Sequence, residues 1–274
     1  MNKTLLALAS TVAIAALPQM AQAQTTAPAA PAAAPAPAAE TPADPLSFNV
    51  SLTSDYRYRG ISQTRLKPAL QGGADYAFAS GFYVGTWAST IKWIKDAENA
   101  AGVDAKGSVE WDIYGGYKGE IVKDLGYDVG VLAYVYPSNK YGDISGAANA
   151  NTTEIYGALT YGPATLKYSH SVTNLFGFAD SKNSGYLDLS ATFEVGPGIQ
   201  LIPHVGYQKI KHYSDFSYTD YSFTVGKDFS GFFLSAAIVG ADTKSIGGVK
   251  AYASPANGKD LGKTALVVAV KKTF

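Results

Sequence analysis

Apolar and polar side chains alternate one for one along most of this chain. Across 48–59, Phe48, Val50, Leu52, Tyr56 and Tyr58 share one face, and Asn49, Ser51, Thr53, Asp55, Arg57 and Arg59 share the other. Strict period two predicts a strand with one apolar and one charged face. The pattern recurs. Val109, Trp111, Ile113 and Tyr117 oppose Glu110, Asp112, Tyr114 and Lys118. Leu187, Leu189, Ala191, Phe193 and Val195 oppose Tyr186, Asp188, Ser190, Thr192 and Glu194. Twelve such runs lie near 47–58, 68–79, 81–93, 108–118, 125–136, 152–161, 164–173, 185–195, 198–210, 217–229, 231–242 and 263–274.

Run length separates two architectures. Most runs reach 10–13 residues, whereas strands of globular proteins cluster at roughly 5–6 residues. A tilted strand needs about 9–11 residues to cross a bilayer. The connections alternate as well. Short turns at 80–81, 119–124, 161–163, 196–198 and 230–231 carry Gly, Pro or Ser chemistry. Longer polar loops fall between them, at 59–67, 94–107, 137–151, 174–184, 211–216 and 241–262. Short turns on one side and long loops on the other suit an outer-membrane barrel. The expectation is an all-β chain: a closed, antiparallel, up-and-down transmembrane β-barrel of about twelve strands. An even strand number returns both termini to the periplasmic side. Lipid forbids open sheet edges, so closure is required. The apolar face then meets outer-membrane lipid, and the charged face lines a lumen.

Composition refines the picture. Residues 1–23 read as a secretory signal peptide, with Lys3 ahead of an apolar stretch and Ala21-Gln22-Ala23 as the cleavage signal. Residues 24–45 are almost wholly Ala, Pro, Thr and Gln and read as a spacer. Residues 46–274 are the barrel. The 19 Tyr and 12 Phe suit two interfacial girdles. Zero Cys removes disulfides and thiolate metal sites, and 22 basic against 22 acidic residues give no case for nucleic acid. After residue 23 no run is apolar enough for a transmembrane helix. The chain ends on Phe274, in series with Leu266, Val268 and Val270. A terminal aromatic after alternating apolar residues is an address for the barrel-assembly machinery, although Lys272 stands where an apolar residue is usual.

The lumenal charges carry the functional expectation. They are Asp55, Arg57, Arg59, Asp75, Glu110, Asp112, Lys118, Asp128, Glu154, Lys167, Asp188 and Glu194, with acids in the majority. A charge facing mid-bilayer lipid costs roughly 2–4 kcal/mol, so an interior place is expected for each. They either filter ions and small hydrophilic solutes in a wet pore or pair with one another and block it. Arg57 and Arg59 are expected beside Asp55 and near Asp75. Loops 94–107, 137–151 and 241–262 are expected to fold inward. An enzyme is not expected. The serines flanking His170 point away from it, which disfavours a lipid-cleaving Ser–His pair. His170, His204 and His212 lack ligand spacing, so neither metal nor cofactor is expected. The alternative to a channel is a non-conducting barrel with a structural or loop-mediated binding role. A homo-oligomer is compatible with either.

One stretch carries a family likeness. "SDYRYRGISQT" with "PALQGGADYAFASGFYVGTWAS" resembles the opening of the TorF family of porins, a conserved proteobacterial family. The matching positions include Asp55, Tyr56, Arg57, Arg59, Gly60, Gln63, Gln71, Gly73, Asp75, Tyr83 and Trp87, and "EWDIYGGYKGE" extends the likeness. The resemblance implies an outer-membrane barrel classed as a porin in a Gram-negative cell. It implies no catalytic residue and no particular solute.

Overall fold

Each of the twelve alternating runs contains a strand in a computed structural model that describes residues 45–274. The signal peptide and all but the last residue of the spacer lie outside the described residues. The barrel strands are β1 Leu46–Thr53, β2 Ala69–Ala77, β3 Phe82–Thr90, β4 Val109–Val122, β5 Leu125–Val135 and β6 Thr152–Tyr161. They continue as β7 Ala164–Ser171, β8 Gly185–Ala191 resuming as Phe193–Gly196, β9 Ile199–Lys209, β10 Tyr218–Phe229, β11 Phe232–Asp242 and β12 Ala265–Thr273. Every strand pairs antiparallel with its sequence neighbours. β12 returns to β1 with Asn49 opposite Thr273 and Thr53 opposite Ala269. Phe48 and Phe274 exchange backbone hydrogen bonds of 2.9 and 3.2 Å across that seam. The sheet is a closed cylinder with its strand edges paired.

The outer face is apolar from rim to rim. Val50, Leu52, Val84, Val129, Val131, Ile155, Leu159, Leu166, Leu189, Val205, Phe223, Val225 and Leu234 all project outward and are exposed. Trp111, Tyr168, Tyr207 and Tyr221 mark the level near the long loops. Phe48, Tyr76, Phe82, Tyr161, Phe193, Phe229, Phe232 and Phe274 mark the level of the short turns. Two aromatic tiers bracketing an aliphatic belt are what two membrane–water interfaces select. Lys272, the departure in the terminal pattern, lies at the short-turn rim with its Nζ 4.7 Å from the Phe232 ring.

The first run departs from expectation. β1 stops at Thr53, and residues 54–68 leave the wall and enter the cylinder. Tyr56 and Tyr58 therefore face the interior and not lipid: Tyr56 is 0% exposed, against 53% for Leu52 four residues earlier. The alternation of 54–59 is that of a loop with two buried sides. Arg59 at φ +46° and Gly60 at φ +78° cannot belong to a flat strand. Within the loop, Arg57–Tyr58 and Ile61–Ser62 form a small ribbon.

The second loop holds a helix that the alternation did not predict, α1, Trp93–Ala100. Its Glu98 accepts backbone N–H groups from Lys106 and Lys140, and its Asp96 pairs with Arg65 of the first loop. Trp93 packs edge-on to Tyr136 and Tyr141. Across the mouth, Phe178, Tyr213, Phe216 and Tyr252 stack in a chain from the fourth long loop to the sixth. The long loops thus pack on one another as a cap.

Candidate functional site: the occupied lumen

Arg59 of the first loop reaches across the lumen, and the wall is built to receive it. β6 turns Glu154 inward, and Nη1 and Nη2 of Arg59 donate to its two carboxylate oxygens at 3.1 and 2.7 Å. β9 supplies Gln208, whose Oε1 accepts from Nη1 at 2.5 Å. β8 supplies Tyr186, whose ring centre lies 4.1 Å from the guanidinium carbon, while Tyr58 lies 4.7 Å away. Arg59 and Glu154 are both almost fully buried. A fork on a carboxylate, stacked on a ring, is the geometry that a planar guanidinium satisfies and an ammonium does not.

Asp55 and Arg57 perform a different task. Asp55 accepts from Arg57 Nε at 2.5 Å, from Ser62 Oγ at 2.5 Å and from Thr64 Oγ1 at 3.1 Å. Nη1 of Arg57 donates to the carbonyls of Gly60, Leu261 and Lys263. The pair therefore shapes the ribbon and ties the first loop to the last. Tyr56 extends the attachment to another wall, donating to Glu110 at 2.6 Å and packing edge-on to Trp87. In the cap above, the hydrogen bond to Asp96 raises the pKa of Arg65.

Two further groups lie along the interior. His204 Nε2 is 2.7 Å from Asp188, and the Tyr186 hydroxyl donates to Asp220 at 3.0 Å. Toward the short turns, Tyr83 donates to Asp128 at 2.6 Å and contacts the Tyr156 hydroxyl. Lys167 lies 4.1 Å from the Tyr156 ring and Lys118 5.8 Å from the Tyr83 ring. Lys271 of β12 is buried on the same inner face. Several of these tyrosines lie across glycines of a neighbouring strand. A Cβ at Gly206 would stand 2.0 Å from the Tyr186 hydroxyl, and one at Gly130 2.4 Å from that of Tyr156. The glycines make the room that the rings occupy.

Asp55, Arg57, Arg59, Glu110, Asp112, Glu154 and Asp188 are thus all buried inside the cylinder. Asp75 is interior but is not near the arginines. It sits toward the short turns and accepts from Tyr114 at 2.5 Å, because β1 pairs Ser47 and not the loop with it. Glu194 falls opposite Gln200 at the short-turn rim, exposed and apart from the buried group. Asp112 is 0% exposed, and neither carboxylate oxygen has a hydrogen-bond partner among the described residues. Gln208, Tyr186 and Asp220 are not singled out from sequence as lumenal groups, and His204 is weighed there only as a metal or catalytic candidate. Parity could have found them, since Val205, Tyr207 and Tyr221 point outward. His170 lies at the rim with Tyr168 and Asn183 as its hydrogen-bond partners. Among the described residues no group of three or more His, Cys, Asp or Glu is arranged to hold a metal ion.

A family model described as "Bacterial protein of unknown function (Gcw_chp)" matches residues 37–274. No curated protein matches the chain. Among solved structures, a KdgM porin in complex with disordered oligogalacturonate is similar over 84% of this chain and 98% of its own, with a TM-score of 0.50 at 8% identity. The NanC porin gives 0.49 at 8% identity over the same shares. OprD from Pseudomonas aeruginosa gives 0.35 at 11% identity, over 84% of this chain and 65% of its own. At such identities the KdgM likeness speaks for the fold alone.

Proposed function

The chain belongs to the Gcw_chp family of bacterial proteins of unknown function, and we propose that it is a porin-like channel of a Gram-negative outer membrane, gated by its first loop. Small hydrophilic solutes or ions diffuse through the charged lumen when residues 54–68 leave it. One observation carries this reading. A closed, lipid-suited cylinder holds a buried charge that reaches across to the wall, Arg59, on a loop and not on the wall itself. Wall strands are rigid, whereas a loop held to its surroundings by two ion pairs, Arg59–Glu154 and Arg65–Asp96, and by hydrogen bonds of Tyr56, Arg57 and Tyr58 can exchange between arrangements. The likeness of the opening stretch to the TorF porins supports the reading, while the matching family model carries no function. Leu46 and Phe274 lie at the short-turn end, which supports periplasmic termini and a role for Phe274 in assembly.

The test is planar-bilayer conductance of the purified chain with a salt gradient. The wild type conducts weakly, in brief openings. Arg59→Ala, which removes the fork on Glu154, conducts more and for longer. The reversal potential favours cations, because Glu110, Asp112, Glu154, Asp188 and Asp220 face the interior against few basic groups at that level. Silence of both proteins at every voltage would sink the channel reading. It would support the alternative, a non-conducting barrel whose loops bind a partner, which the aromatic cap over the mouth favours. Neither reading calls for an enzyme, and labelled phospholipid is expected to survive incubation with the protein.

A further inference from the structure

Removing Arg59 in thought leaves a finished site on three rigid strands. Glu154 of β6 presents both carboxylate oxygens, and Gln208 of β9 presents a carbonyl oxygen. Tyr186 of β8 presents a ring face, and its hydroxyl, bonded to Asp220, holds the ring in place. Gly206 opposite gives that ring its room. None of these groups belongs to the loop. Sites built on strands keep their geometry when a loop moves. The loop pays in backbone strain to reach them, with Arg59 itself in the left-handed region.

We infer that Glu154, Gln208 and Tyr186 form a guanidinium-binding site, that Arg59 is its tethered occupant, and that small solutes bearing a guanidinium group are its free ligands. This deepens the channel reading and rests on it in one respect: the loop must be able to leave. A free guanidinium competes with Arg59 for the same fork, and binding releases residues 54–68 from the lumen. Selectivity over ammonium follows from shape. A planar group donates two parallel bonds to one carboxylate while stacking on a ring, and an ammonium does not. The tether sets the scale of competition. A short flexible linker gives its own side chain an effective concentration on the order of millimolar, so free ligand acts in the millimolar range.

The experiment is chemical rescue of the full chain in detergent. Arg59→Ala lowers the thermal midpoint, read by near-ultraviolet circular dichroism of the buried tyrosines. N-ethylguanidinium raises that midpoint saturably, and at a lower concentration than it needs in the wild type, where the tethered Arg59 competes on the order of millimolar. Ethylammonium at the same ionic strength does not. The double variant Arg59→Ala, Glu154→Gln loses the rescue. In the wild type, N-ethylguanidinium speeds tryptic cleavage after Arg59 and Arg65, and ethylammonium does not. This second readout stands even where Arg59→Ala fails to fold. Equal effects of the two cations, rescue that survives Glu154→Gln, or no change in cleavage would overturn the assignment. Because binding is read without a membrane current, the site can stand if the channel fails, and can fail if the channel stands.

Discussion

Arg59 and Gly60 show how much one turn of backbone decides. Both have positive φ, a region that L side chains enter at a cost of roughly 1–2 kcal/mol. Arg59 bears that cost because its head group is paired. Withdrawing Arg59 would leave Glu154 buried without its partner, and an orphaned buried charge costs about 3–5 kcal/mol. Gly60 has no such compensation for a side chain. A Cβ there would lie 2.7 Å from the Gly240 carbonyl oxygen and 2.8 Å from Cβ of Asp220. Gly60→Ala is therefore expected to cost at least ~1–2 kcal/mol from φ alone, and to loosen the loop from β10 and β11. Urea unfolding in detergent checks the first effect, and hydrogen exchange of 54–68 checks the second. Unchanged values for both would show that the turn can relocate.

The first loop takes no part in the strand ladders of the barrel. β1 pairs β2 from Leu46–Tyr76 to Thr53–Ala69, and pairs β12 independently. Replacing residues 55–67 with a two-residue Asn-Gly turn keeps both ladders and suits hairpin geometry. The expected product is a folded, heat-modifiable barrel with a conductance well above that of the wild type. An unfolded product would mean that the loop is part of the core and not a plug. α1 and the aromatic chain of Phe178, Tyr213, Phe216 and Tyr252 are attached to other loops, so some obstruction of the mouth remains in that variant.

At the scale of the whole molecule, two surfaces of opposite character are held apart by one sheet. The exterior belt has no charge at mid-height: Leu189 faces outward between Leu166 and Val205 of its neighbours. Leu189→Arg is expected to destabilise the barrel in lipid by ~2–4 kcal/mol, and much less in a detergent that lets the side chain reach water. Titration with denaturant in both media checks the difference. Equal losses would argue against a bilayer at that level.

The twelve strands, their faces and the alternation of short and long connections were legible in the sequence, because period-two patterning reports which side of a sheet is oily. Glu110, Asp112, Lys118, Glu154, Lys167 and Asp188 could be placed inside on parity alone. Parity failed at Tyr56 and Tyr58. A tyrosine suits a membrane interface and a polar interior alike, and only contact with Glu110 and Tyr134 settles which. It also missed α1, whose Trp93–Ala100 stretch is fixed by packing on Tyr136 and Tyr141. Strand order around the cylinder decided the rest. Glu154, Tyr186 and Gln208 lie far from Arg59 in sequence, and only closure brings β6, β8 and β9 around one guanidinium. Local pattern determines the two faces of a strand; which side chains meet across a lumen is a property of the closed ring.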